Sequence, residues 1–308
     1  MIAPSGEQIT ITAGDQQAVV VEVGGGLRSY SAGGRELVDG YGADEMSSAG
    51  RGQVLIPWPN RLQDGSYEFD GQHHQLPLNE PARRNAIHGL VRWATWTAAE
   101  QEPHRAVMKH VLHPQPGYPF TLGISVEYAL SDSGLQVRTT ATNLGAAACP
   151  YGSGAHPYLT LGTERIDQLM LRVPARSVLQ SDERGLPAAT EIVEGTEYDF
   201  QQPRRIGSTT LDHAFTDLDR DQDGLARVEL RDPDRGMQVS LWVDKSYPYV
   251  MIFSGDTLPN FSRRRSLAVE PMTCPPNAFR TGDALVRLEP GSSLTSTWGI
   301  ARGSAYRR

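Results

Sequence analysis

The stretch ISVEYALSDSGLQVRTTATN, residues 124–143, decides the fold. Its first arm, ISVEYAL, alternates apolar and polar residues. SDSG interrupts the pattern and LQVRTTATN resumes it. A two-residue period sends successive side chains to opposite faces, so each arm reads as a strand with one face toward a core. Ser, Asp and Gly at the break favour a tight turn, and the unit reads as a hairpin. ARVELRDPDRGMQVSLWVD (226–244) repeats the pattern around DPDRG. QLMLRVPARSVLQ (168–180), YVMIFSG (249–255) and LVRLEPGSSLTSTWGIA (285–301) add further strands. No long window holds a 3.6-residue period. The sequence therefore predicts an all-β chain with few short helices: one large antiparallel β-sandwich, a single domain over 1–308. Residues 73–95 and 255–283 read as long loops, where sites tend to sit on a rigid sheet.

The 308 residues are 39% hydrophobic and 21% charged, which fits a globular protein with a sizeable core. A net charge of −7 argues against nucleic acid as a partner, because phosphate binding needs a basic face. Cys149 and Cys274 form neither a disulfide framework nor a CxxC metal site. Two free thiols in a reduced, cytoplasmic setting are expected. The first residues, MIAPSGEQITITAGD, lack the basic and apolar regions of a signal peptide. No apolar run approaches the roughly 20 residues that span a bilayer, so no membrane partner is expected.

Several motifs are tempting and incomplete. DRDQDG (219–224) opens like a calcium loop, but Leu230 stands at the twelfth position and the flanks read as strand. VGGGLRSY (23–30) lacks dinucleotide spacing and opens no helix. GSGAHP (152–157) places Ser153 near a histidine without a nucleophile elbow. The eight histidines contain no HxH or HExxH pair, so no metal is expected.

LAVEPMTCPPNAF (267–279) is different, because it sets one carboxylate, Glu270, in an otherwise uncharged run. An acid among apolar neighbours loses hydration and must find a partner or shift its pKa. His88 in NAIHGLVRW and His156 in YGSGAHPYL sit in apolar, tightly turned settings. A lone buried histidine is more often a satisfied core residue than a catalyst, and on context alone that is the plainer reading of each. Arg61 follows the apolar run VLIPWPN, and Asp212 lies in TLDHAF. A structural ion pair and a turn cap are the plainer readings of these two.

In order along the chain, PNRLQDGSYEFDG, NAIHGLVRW, AHPYL, LDHAF and LAVEPMTCPPNAF resemble the aldose 1-epimerase (galactose mutarotase-like) family. The resemblance spans residues 20 to 300. IPWPNRLQDGSY and EPMTCPPNAF look most like a bacterial branch near the sulfosugar mutarotases. The resemblance implies a β-supersandwich with a sugar cleft across one sheet. It implies His156 as general acid and Glu270 as general base. It puts Arg61, His88 and Asp212, with Asn60 beside them, at sugar-binding positions. It implies an isomerase without a cofactor, acting on a small sugar as a monomer or homodimer. One departure stands out: Met251 lies about where the family often has a sugar-contacting Gln.

The chemistry fits an acid in an apolar strand. Interconverting α and β anomers needs a base for the anomeric hydroxyl proton and an acid for the ring oxygen. Each such group is worth roughly 10²- to 10⁴-fold. Two other functions compete. A glycoside hydrolase would pair Glu270 with Asp212. A non-catalytic carbohydrate-binding domain could use the same scaffold. FSRRRSL (261–267) and EPARRNAIHG (80–89) lead toward Glu270 and His88. Arg264 and Arg265 in the first are read as candidate contacts for an anionic group on the sugar.

Overall fold

A computed structural model describes residues 2–303. Two large antiparallel sheets dominate it, one of 12 strands and one of 9. The 124–143 hairpin sits within the smaller of them. Its strands are Leu122–Ser131 and Gly134–Asn143, registered from Leu122 opposite Asn143 to Ser131 opposite Gly134. Ala226–Asp232 and Met237–Val243 form the second expected hairpin in that same sheet. The expected segment 168–180 divides at Val173–Pro174. Met170–Arg172 joins the 9-stranded sheet and Ala175–Ser181 joins the other. Proline lacks the N–H a continuing ladder would use, so it suits a crossing between sheets.

Helix is confined, among the described residues, to one four-residue turn, Ala278–Thr281, and two 3₁₀ turns. The inner faces of the two sheets share one apolar cluster that runs from Ile9 to Ile300. Cys149 and Cys274 are free and buried.

The expected loop 255–283 contains a fully buried strand, Leu267–Met272. Its position in the larger sheet explains the acid. The strand lies between Tyr158–Leu159 and Tyr249–Phe253. Val269 and Leu267 belong to the inter-sheet core. Side chains alternate, so Ala268, Glu270 and Met272 face the other way. Tyr158 pairs with Ala268, Met251 with Glu270, Ala214 with Met251 and Asp212 with Phe253. Paired residues in a ladder share a face. Glu270, Met251, Asp212 and Tyr158 thus line one side of the larger sheet, away from the core.

Candidate active site

On that face lies a cleft of about 450 Å³, within the usual range for a small-molecule site. Its lining includes Asn60, Arg61, His88, His156, Asp212 and Glu270. Six residues scattered over 210 positions in sequence are brought together there.

His156 and Glu270 form its floor. His156 Nε2 lies 3.4 Å from Glu270 Oε1, and the two are 5% and 2% exposed. The imidazole stacks on the Tyr158 ring, with centroids 5.0 Å apart and planes at 14°. Its own backbone is fixed by bonds to Gln53 O and from Gly52 N–H. Glu270 Oε2 is buried with no hydrogen-bond partner among the described residues. Burial pushes the Glu270 carboxyl well above its usual range, with the Asp212 charge adding to the shift and Arg61 opposing it. Met251, directly across the ladder, contributes to that apolar setting and packs with Leu179, Ala214 and Met272. Burial lowers His156 to about 3, with Arg92 and Arg51 disfavouring the imidazolium further. A histidine held cationic by its carboxylate is the simpler expectation from sequence. The loss of hydration outweighs that pairing here, because both groups are removed from water together.

His88 and Asn60 make a reciprocal clamp. His88 N–H donates to Asn60 O at 2.9 Å, and Asn60 N–H donates to His88 Nδ1 at 3.2 Å. Both residues adopt left-handed backbone, with φ of 63° and 54°. Such conformations persist where surrounding structure over-determines them. The bond from Asn60 leaves the His88 proton on Nε2, so this ring offers the cleft a donor. Ligand atoms of His88, His156 and Glu270 do lie within 4.8 Å of one another. A metal ligand would need a bare Nε2, and the Asn60 N–H opposes the tautomer that provides one.

Arg61 Nε donates to both oxygens of Glu80, at 3.0 and 3.2 Å, and Nη1 lies 3.9 Å from Asp212. Arg83 Nη1 is also 3.9 Å from Asp212. These pairs orient a polar wall with donors and acceptors suited to hydroxyl groups.

Arg264 and Arg265 do not reach this lining. Arg264 is 6% exposed, and its fork is taken by Asp167 at 2.6 Å and Asp256 at 2.9 Å. Arg265 pairs with Asp39. Both are engaged by acids outside the cleft lining, so the anion-binding expectation placed on them is corrected. Two of the acids that engage the cluster, Asp167 and Asp39, lie far away in sequence, and only Asp256 is near. Arg84 likewise turns to Asp64, at 3.6 Å.

Arg92 was missed, although it lies inside the quoted NAIHGLVRW. It lines the cleft and donates to Gln53 Oε1 at 3.2 Å. No carboxylate forms an ion pair with it among the described residues. Burial lowers its pKa. Glu80 and Gln53 were missed too; only their contacts with Arg61 and Arg92 identify them.

A family model described as aldose 1-epimerase matches residues 7–301. The chain is 38% identical to the uncharacterized protein YihR of Escherichia coli K12, over 93% of this chain and 90% of that one. It is 24% identical to an aldose 1-epimerase of the same organism, over 67% of this chain and 64% of that one. Its fold is similar to that of a GalM/aldose epimerase homologue from C. elegans, with a TM-score of 0.86 and 18% identity, covering 97% of this chain and 99% of that one.

Proposed function

This chain belongs to the aldose 1-epimerase family, an isomerase family, and on that basis we propose that it interconverts the α and β anomers of a hexose, with His156 and Glu270 as the proton-transfer pair. The observation that carries the proposal is the 3.4 Å approach of His156 Nε2 to Glu270 Oε1 on the floor of an open cleft. In ring opening the C1–O5 bond breaks, the O1 proton goes to a base, and O5 receives a proton. The electron pair of the O1–H bond becomes the new carbonyl bond. Rotation about C1–C2 and reclosure on the other face reverse these steps. No net proton or electron is gained, so a pair sharing one proton suffices. Arg61, His88 and Asp212 orient the sugar hydroxyls, and Asn60 fixes the ring of His88.

The pKa directions set the pH dependence. His156 is lowered and Glu270 raised, so the two titrations are pushed apart and the pair holds one proton between them. It gains a second only in acid, when the imidazole protonates beside a neutral carboxyl. It loses the last only above the usual carboxylate range. These are macroscopic steps of the pair rather than of either residue. The expected kcat profile is a broad plateau, with an acid limb well below the ordinary histidine value and an alkaline limb above the ordinary glutamate value. The check is kcat by polarimetry across pH at constant ionic strength. An acid limb near the ordinary histidine value, about 6.5, would mean that His156 titrates as an ordinary imidazole and would contradict the profile.

Arg92 favours a sugar carrying an anionic group. Three arginines line the cleft, against the carboxyls of Glu80, Asp212 and Glu270. Arg61 and Arg83 are paired with Glu80 and Asp212, whereas Arg92 forms no ion pair among the described residues and is the cation left over. An anion on the sugar would neutralise it, and the guanidinium fork suits carboxylate, sulfonate or phosphate. Arg92→Gln should raise KM for an anionic hexose by roughly tenfold, the worth of one charge-assisted hydrogen bond. It should leave KM for the neutral parent within about twofold on the same reasoning. Equal effects on both sugars would contradict an anion contact at Arg92.

A further inference from the structure

We infer that Arg51 is a positioning residue for His156, acting through the ring of Tyr158. The inference rests on the reading of His156 as a proton-transfer group. Arg51 is 4% exposed and lies behind the cleft rather than in its lining. Its Cζ sits over the Tyr158 ring, 4.5 Å from the centroid. Tyr158 in turn stacks on His156 at 5.0 Å. Guanidinium and imidazole thus both pack on the Tyr158 ring, which links them.

The stack is anchored from behind. Arg51 Nη2 lies 3.3 Å from Asp39 Oδ2. Asp39 N–H donates to the Tyr158 carbonyl at 2.8 Å, which fixes the acid to the backbone of the residue it helps to clamp. Asp39 also accepts from Ser266 Oγ at 2.7 Å, ahead of the strand that carries Glu270. The Tyr158 hydroxyl donates to Ala49 O at 2.8 Å, so the phenol cannot swing away. One acid thus connects Arg51, Tyr158 and the approach to Glu270.

This arrangement does two things. It restricts rotation of the imidazole, and small losses of alignment at a reacting group are costly. It also places a buried cation two groups from His156, where charge on the imidazole is disfavoured. The other groups facing that ring are Glu270 from the neighbouring strand, His88 edge-on at 5.3 Å, and the Arg92 cation. Glu270 opposes Arg51 and Arg92 in this balance.

Arg51→Met and Arg51→Lys test the inference with two readouts, steady-state mutarotation and NMR titration of the His156 imidazole. In Arg51→Met, kcat should fall about tenfold, the scale of a modest misalignment, while KM stays within about twofold. The His156 titration should move to higher pH, because a cation that disfavours the imidazolium is gone. Arg51→Lys keeps the charge, so its titration should return toward that of the unaltered protein. A titration and a kcat both unchanged in Arg51→Met would overturn the inference. If Arg51→Met does not fold, Tyr158→Leu is read the same way: a fall in kcat with KM retained supports the clamp, and unchanged kcat overturns it. The titration keeps this test separate from the proposed function. If the unaltered protein exchanges no anomers, the epimerase reading fails, while a His156 shift in Arg51→Met still supports the contact.

Discussion

Glu270→Gln and His156→Asn should each retain the fold and lose at least about 10²-fold in kcat, the usual worth of a positioned proton-transfer group. Each change keeps a polar side chain and removes the ability to exchange a proton. The fold should survive for a reason visible in the pKa direction. Glu270 is raised in the folded state, so folding binds its proton more tightly than the unfolded chain does. Its protonated form supports stability fully below the unfolded value, and that support is lost as pH rises through the folded value. An amide never ionises. Glu270→Gln should therefore melt at or above the unaltered protein at neutral pH, with the gap widening in alkali. His156 has the opposite sign. Being lowered, it favours the folded state above its ordinary value, and that support falls as pH drops toward about 3. Thermal melts across pH and initial rates of mutarotation check both halves. Near-normal turnover in either variant would remove that residue from the mechanism.

Gly50→Ala should be nearly as damaging, although Gly50 carries no chemistry. Gly50 has φ of +78°, and a Cβ built there would lie 2.6 Å from His156 Cδ2. That is far inside ordinary contact, so the imidazole would have to move. The ring cannot retreat freely, since Tyr158 stacks against it. A shift on the order of 1 Å at a reacting group can cost about 10²-fold in rate. Left-handed backbone adds roughly 1 kcal/mol for any residue with a Cβ. Gly14→Ala separates the two effects. Gly14 has φ of +59° with nothing within 4 Å of its Cβ position, so it carries the strain without the collision. Gly14→Ala should lose a little stability and keep kcat, whereas Gly50→Ala should lose kcat. Equal kcat in the two variants would show that His156 is not held as tightly as its neighbours suggest.

The hairpins were legible because a two-residue period is a direct record of which face meets the core. Leu122–Ser131 and Gly134–Asn143 show it over ten residues each. The strand holding Glu270 was harder, since it is buried on both faces and has no alternation to display. Its lone acid still marked it. The assembly of Asn60, Arg61, His88, His156, Asp212 and Glu270 in one cleft was anticipated through a family resemblance rather than through any local pattern. Charge pairing was not legible. Arg264 and Arg265 read as candidate anion contacts, and two of the acids that engage them, Asp167 and Asp39, become neighbours only in the folded chain. Arg92 carried no signal of its own within the His88 motif. The state of His156 was out of reach for the same reason, since it depends on how much water the finished fold excludes.

The most direct measurement is two-dimensional exchange NMR on anomeric mixtures at equilibrium, with the protein added to neutral, phosphorylated, sulfonated and carboxylated hexoses in turn. Exchange spectroscopy reads the α to β rate without needing a pure anomer, and it distinguishes turnover from binding. The account predicts exchange cross-peaks for at least one hexose whose rate rises linearly with protein concentration and disappears in His156→Asn. Sugar binding with no acceleration of exchange for any of these hexoses would contradict it, and would leave the cleft as a carbohydrate-binding site without catalysis.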